Sequence, residues 1–290
     1  MPSAPLLSEP PQRLTFTILG CGSSGGVPRV GQGWGACDPQ NPRNRRRRCS
    51  MLVERQGPSG KTVVLVDASP DLREQLLDLG VTHLDGVLFT HEHADHTHGI
   101  DDLRPLAIHN RRKVDIYSDE DTSRVLHQRF GYCFETPPGS GYPPILTDHR
   151  FREGRPIVVD GAGGPVTALP FRQHHGDIDS FGFRFGDVAY SSDLNALPDN
   201  SLAHLHGLDV WVIDALRETP HPSHFTLQEA LDHVARLRPR RAILTNLHTD
   251  LDYSVLASSL PDGVVPAYDG LSFQSDLSEA VDRQAMADGE

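Results

Sequence analysis

No run of apolar residues in this 290-residue chain approaches the roughly 20 that span a bilayer, so no membrane-crossing helix is expected. The amino terminus, MPSAPLLSEPPQR, lacks a basic start and an apolar stretch and does not read as a secretory signal. Its prolines and serines read as a flexible lead over residues 1–12. Cysteine is sparse: Cys21, Cys37, Cys49 and Cys133 lie far apart with no CxxC. They read as four reduced thiols in a cytoplasmic protein. Positive charge is in deficit, with 27 Lys and Arg against 39 Asp and Glu for a formal −12. That disfavours the electrostatic grip on long nucleic acid. It leaves room for a small anion beside bound cations. There is no internal repeat and no linker dividing the chain, and the length suits one large domain or two ordinary ones.

What is present is a mixture of strand and helix patterns. LTFTILG (14–20) alternates apolar and β-branched residues and stops at glycine, the mark of a strand. SMLVE and TVVLVDA suit a hairpin, SPDLREQLLDLG carries helix start and stop signals, and DGVLFT is a short buried strand. VDIYS, VTALPFRQ, FGFRFG, DVAYSS, LDVWVIDA and RAILTNL follow as strands, with EDTSRVLHQRF and TLQEALDHVARL as helices. Residues 131–155 read as a long loop and a candidate lid, and 274–290 as an acidic, frayed tail. The mixture argues one α/β or α+β domain over residues 13–273.

The strand DGVLFT runs straight into HEHADHTHG. His91 and His93 are two apart, so an extended segment points them the same way. Asp95 and His96 come where the chain turns towards a helix. Imidazole nitrogen and carboxylate oxygen suit Zn, Mn or Fe without any thiolate. A solvated polar turn is the weaker reading, because an apolar strand aims this cluster from the core. His98 reads as an outer or surface residue.

At this point the sequence resembles the metallo-β-lactamase superfamily. VLVDASPDL looks like the family's first motif, HEHADH its second, HHGDIDSFGFRFG its third, DVAYSSD its fourth, and AILTNLHTDLDY stands in the place of the fifth. The resemblance implies a four-layer αββα sandwich and two divalent metal ions, Zn or Mn, with Fe allowed. It implies one metal on His91, His93 and His175, and a second on Asp95, His96 and a late histidine, with Asp193 bridging. Two such ions clamp attacking and leaving oxygens and supply a hydroxide near neutral pH, which Asp95 would orient. Asp67 would brace the metal loop. Of the adjacent His174 and His175, the His-Gly pair favours His175. The fifth motif departs from the pattern, reading Leu244, Thr245, Asn246 where relatives commonly carry L-T-H. His248 is expected to complete the second metal, with Asn246 hydrogen-bonding the site.

GCGSSG fits G-x-G-x-x-G, but GVPRVGQGWG follows where a dinucleotide fold needs a helix, so that reading fails. LGCGSSGGVPR and the Arg-rich run into CSMLV resemble a narrower branch, the phosphoribosyl cyclic-phosphate phosphodiesterases. Those carry a cysteine cluster for a structural zinc after this loop; here Cys37 stands alone in WGACDPQNP, so that zinc is expected to be missing. RNRRRRCS holds Arg43 and Arg45 to Arg48, either a solvated basic loop or a phosphate clamp. Arg29, Arg47, Arg48 and Tyr253 are candidate substrate contacts. In PHPSHF the branch implies a histidine acting as general acid, and position favours His224 over His221. Asp214, in WVIDA, is a candidate partner for a site histidine.

The expected activity is metal-dependent hydrolysis of a small, cyclic or linear phosphodiester, with a small phosphorylated substrate as partner. Three alternatives share these residues: a thioester or lactone hydrolase, a tRNA 3′-end-like nuclease, and a weakly catalytic nucleotide- or phosphate-binding protein. A homodimer is left open.

Overall fold

Side chains alternate across a strand, so residue type decides which face of a sheet is buried and against what. The computed structural model describes residues 13–276. Its strands are β1 (Arg13–Gly20), β2 (Ser50–Gly57), β3 (Gly60–Val66), β4 (Gly86–Leu88), β5 (Val114–Ser118), β6 (Leu146–Arg150), β7 (Ile157–Val159), β8 (Val166–His175), β9 (Ile178–Phe185), β10 (Val188–Ser191), β11 (Val210–Asp214), β12 (Arg241–Thr245), β13 (Val264–Pro266) and β14 (Ser272–Asp276). The helices are α1 (Leu72–Asp78), α2 (Ala94–Thr97), α3 (Arg104–Asn110), α4 (Glu120–Phe134), α5 (Asp199–Leu202), α6 (Leu227–Leu237) and α7 (Tyr253–Ser259).

The strands form two seven-stranded sheets, ordered β14-β1-β2-β3-β4-β5-β6 and β13-β12-β11-β10-β9-β8-β7. Leu14, Phe16, Ile18, Met51, Val53, Val64 and Val66 of the first sheet meet Phe181, Phe183, Phe185, Val210 and Val212 of the second in one buried cluster. The alternate residues Leu52, Val63 and Leu65 face outward and pack on Leu72 and Leu76 of α1. On the other side Trp211 and Ile213 pack with Ala230 and Leu237 of α6. The result is the αββα sandwich, in one domain. Phe183 is fully buried between the sheets. Phe183→Ala should therefore cost about 3–5 kcal/mol, read as a lower urea midpoint; an unchanged midpoint would contradict this packing.

Two expectations change. Residues 131–155 are not one loop: α4 continues to Phe134, and β6 joins the sheet edge in parallel with β5. The segment expected to be an acidic tail begins inside a strand, since Gln274 to Asp276 pair with β1 and Phe273 stacks on Phe16 at 5.1 Å between centroids. The lead over 1–12 and the rest of the tail, 277–290, lie outside the described residues. No helix among the described residues is long and apolar enough to cross a membrane.

The strand ends set the site. Asp67 follows β3, the His91 segment follows β4, His175 ends β8, Asp193 follows β10, Asp214 ends β11 and Asn246 follows β12. These are carboxyl ends, where open α/β sheets leave their crevice.

A candidate metal centre

Helix α2 begins immediately after His93, whose extended backbone (φ −62°, ψ 151°) turns the chain. That turn brings Asp95 and His96 to the same place as His91 and His93. The brace beneath is Asp67, held in the left-handed region at φ 62°, a conformation that costs energy and persists where surroundings fix it. Its Oδ1 accepts from Thr90 N at 2.8 Å, and its Oδ2 from Thr90 Oγ1 at 2.9 Å and His96 Nδ1 at 2.7 Å. With its proton on Nδ1, His96 presents the Nε2 lone pair to the site.

The same logic fixes two more rings. His91 Nδ1 lies 2.9 Å from Thr90 Oγ1, whose own proton goes to Asp67. His175 Nδ1 donates to Ser223 O at 2.6 Å. Both therefore turn Nε2 inward, and carbonyl or hydroxyl partners of this kind are what orient metal-binding imidazoles. His175 Nε2 lies 3.1 Å from His93 Nδ1. Donor atoms of His91, His93 and His175 lie within 4.8 Å of one another, as do those of His91, His96 and Asp193, and of His175, Asp193 and His224. His91 Nε2 is buried with no hydrogen-bond partner, a costly state for a polar atom that a cation would relieve. This donor set of imidazoles and carboxylates fits a divalent metal.

Electrostatics agree. Burial opposes protonation of His96, but Asp193, Asp95 and Asp67 outweigh it and hold its pKa well above the usual value. Burial would raise Asp193, but His96, His224 and His91 carry it well below the carboxylate range. Burial drives His91 well down. The three carboxylates around His96 thus favour positive charge in this place.

His224 joins this group by a different route. The cap of α6 is a box in which Thr226 and Glu229 satisfy each other's backbone, and this fixes the turn two residues upstream. His224 Nδ1 lies 2.7 Å from Asp214 Oδ2, and Nε2 lies 3.8 Å from Asp193 Oδ2. Burial opposes its charge, but Asp214 wins and pushes His224 up to about 9. Burial in turn pushes Asp214 up to about 7 against the pull of His224. The two make an ion pair whose proton rests on the imidazole.

Around this cluster one expected ligand, His248, stands elsewhere. His174 points outward to Asp179 at 2.9 Å. His248, expected as the late ligand, is not in the cluster: Arg29 Nη1 reaches its Nε2 at 2.6 Å, and its Nδ1 faces Asp250 at 3.1 Å. The lone pair a metal would need is already used by a guanidinium. Asn246 (φ 61°) donates from Nδ2 to Ser192 O at 3.0 Å and lies 3.1 Å from His224 Nδ1.

The arginine run is likewise absorbed. Arg43 lies over the rings of Tyr253 and Tyr268 at 4.8 and 4.7 Å and donates to Tyr253 Oη at 3.0 Å. Arg46 is buried and ties down Leu251 O at 2.7 Å. Arg47 pairs with Asp78 and Arg48 with Asp71, each at 2.7 Å. Neither Arg47 nor Arg48 is free to clamp a phosphate, and Tyr253 is engaged by Arg43. What sequence reasoning missed is the carbonyl of Ser223 that orients His175; a backbone acceptor leaves no signal in residue type.

A family model described as "Beta-lactamase superfamily domain" matches residues 62–246. The chain belongs to the metallo-β-lactamase superfamily. A solved structure described as a new diphosphatase from the PhnP family is 35% identical with a TM-score of 0.81, covering 91% of this chain and 98% of that one. Within the superfamily the chain lies close to that PhnP family. Among curated proteins it is 32% identical over 257 residues to an octanoyltransferase of Porphyromonas gingivalis, covering 88% of this chain and 50% of that one. It is also 31% identical over 153 residues to a ribonuclease Z of Bradyrhizobium diazoefficiens, covering 51% and 47%. The chain spans about half the length of the curated relatives it matches.

Proposed function

We propose that this superfamily member hydrolyses a small phosphodiester. The observation that carries the reading is the Asp214–His224 pair, a proton-bearing imidazole aimed at Asp193 beside the metal donors. Cleavage of a thioester, whose thiolate departs readily, has little need of it, whereas expulsion of an alkoxide from phosphorus does. His91, His93 and His175 would hold one divalent ion, and Asp95 and His96 a second, with Asp193 shared between them. Such ions supply Lewis acidity and acidify water near neutral pH; nitrogen and oxygen donors suit Zn or Mn, with Fe allowed. Asp95 orients the attacking water, and His224 Nε2–H protonates the departing oxygen. The diphosphatase and ribonuclease relatives by name act at phosphorus, which supports a phosphorus centre here. Four unpaired, buried thiols suit a cytoplasmic setting.

The octanoyltransferase relative supports a second reading, acyl-ester or thioester cleavage at the same centre. The two readings separate on paired substrates. Bis(p-nitrophenyl) phosphate should be cleaved in a chelator-sensitive way, and p-nitrophenyl octanoate or an octanoyl thioester should not. The reverse preference would replace phosphodiester chemistry with acyl chemistry.

The pair also sets a pH dependence. A general acid works while protonated, so the rate falls as pH rises through its pKa. Asp214 raises that pKa, so Asp214→Asn should shift the alkaline limb of kcat/KM to lower pH. An unmoved limb would mean the titrating group is not His224.

A further inference from the structure

We infer that Asn195 is a positioning residue of this centre: its side-chain amide ties the turn that follows the metal donor His175 to the turn that carries the proton donor His224. The half that concerns His224 rests on the phosphodiesterase reading; the half that concerns His175 does not.

A primary amide carries a donor and an acceptor in one plane, so it can join a backbone N–H to a backbone carbonyl; a carboxylate of the same shape cannot. Asn195 is used in that way. Its Oδ1 accepts from Gly176 N at 3.1 Å, 19 residues back, and its Nδ2 donates to Pro222 O at 3.0 Å, 27 residues on. These partners fix which way round the amide lies, because Gly176 N only donates and Pro222 O only accepts. The backbone adds to the grip. Asn195 N donates to His174 O at 2.8 Å and His174 N to Ala196 O at 3.0 Å, so Asn195 holds the chain on both sides of His175. Next to it, Leu194 O accepts from Phe225 N at 2.7 Å. Leu194 N donates to Asp214 Oδ2 at 3.2 Å, the oxygen that His224 Nδ1 reaches at 2.7 Å.

The two turns touch because residue 176 is glycine. It lies in the left-handed region at φ 63°, and a Cβ there would come within 2.9 Å of Ser223 Cβ. That approach lets His175 Nδ1 reach Ser223 O at 2.6 Å and sets the His175 and His224 rings 4.7 Å apart. The spacing of metal donor and acid is therefore held by contacts between turns, and the Asn195 amide spans them.

Catalysis is sensitive to such spacing: a displacement of about 1 Å can cost roughly 10²-fold in rate. Asn195 is half-buried, at the rim of the site, where water can replace its hydrogen bonds. Its loss therefore leaves the fold standing and lets the two turns move independently.

The test compares Asn195→Ala with Asn195→Asp in the full chain. Zinc affinity is read by competition with a chromophoric chelator. With metal in excess, kcat and KM are read on a ribose 2′,3′-cyclic phosphate and on bis(p-nitrophenyl) phosphate. Alanine frees both turns. Zinc should bind about 10–100-fold more weakly, the loss typical of a partner behind a metal donor. The kcat on the cyclic phosphate should fall about tenfold or more relative to that on bis(p-nitrophenyl) phosphate, with KM little changed, because the acid is misplaced. Aspartate still accepts from Gly176 N but sets an oxygen against Pro222 O. It should keep zinc affinity near that of the native chain and lose the same rate ratio. A folded Asn195→Ala that lacks either shift overturns the assignment, since a residue that only stabilises the fold lowers the melting temperature and moves neither. If the native chain cleaves neither ester, the phosphodiesterase reading fails by itself. The zinc competition then decides alone: weaker binding in Asn195→Ala and not in Asn195→Asp supports the positioning role, and any other pattern overturns it.

Discussion

Asp193→Ala should strip metal from the chain and abolish turnover. Asp193 is nearly fully buried and faces three imidazoles. Its Oδ1 lies 3.1 Å from His96 Nε2, and its Oδ2 lies 3.8 Å from both His175 Nε2 and His224 Nε2. Alanine removes a negative charge that faces both His175 of the His91–His93–His175 group and His96 of the Asp95–His96 group. Loss of an outer partner typically costs 10–100-fold in metal affinity; removal of a shared ligand should exceed about 100-fold. Metal content of the purified variant, measured by mass spectrometry, checks this. Full occupancy would refute the assignment of Asp193 as the shared carboxylate.

His224→Ala should have the second-largest effect, and an uneven one. General acid catalysis contributes about 10²–10⁴-fold, and it matters most where the leaving oxygen is strongly basic. The variant should lose most of its rate on a ribose 2′,3′-cyclic phosphate, whose leaving group is an alkoxide. It should lose little on bis(p-nitrophenyl) phosphate, whose phenolate departs unaided. Metal content should remain near that of the native chain. Equal loss on both substrates would remove the proton-donor role. Loss of metal would instead make His224 a ligand, a role its Nε2 position near Asp193 allows.

Much of this could be read from residue order because local physics determined it. Alternation in LTFTILG and VVLV fixes which faces are buried, and the H-x-H-x-D-H spacing needs only a strand end and one helical turn to converge. Thr226 and Glu229 announce their own helix cap. What sequence order hid depends on contacts far along the chain. His248 has ligand chemistry, but Arg29, on a hairpin 219 residues away, occupies its lone pair. The run RNRRRR looks like an anion clamp until Tyr253, Tyr268, Asp71 and Asp78 arrive from other elements to engage it. Strand β6, LTDHR, is short and polar, and it is a strand because an edge of the sheet accepts it. Charge pairing of this sort is a property of the tertiary fold and cannot be seen in spacing.

The most direct test of the account measures metal content and hydrolysis of bis(p-nitrophenyl) phosphate on one preparation of the native chain. Both are followed as isolated, after chelation, and after Zn or Mn is restored. The account predicts two metal ions per chain, loss of activity with their removal, and recovery on their return. A chain that binds no metal, or that keeps its phosphodiesterase rate when stripped, would contradict it.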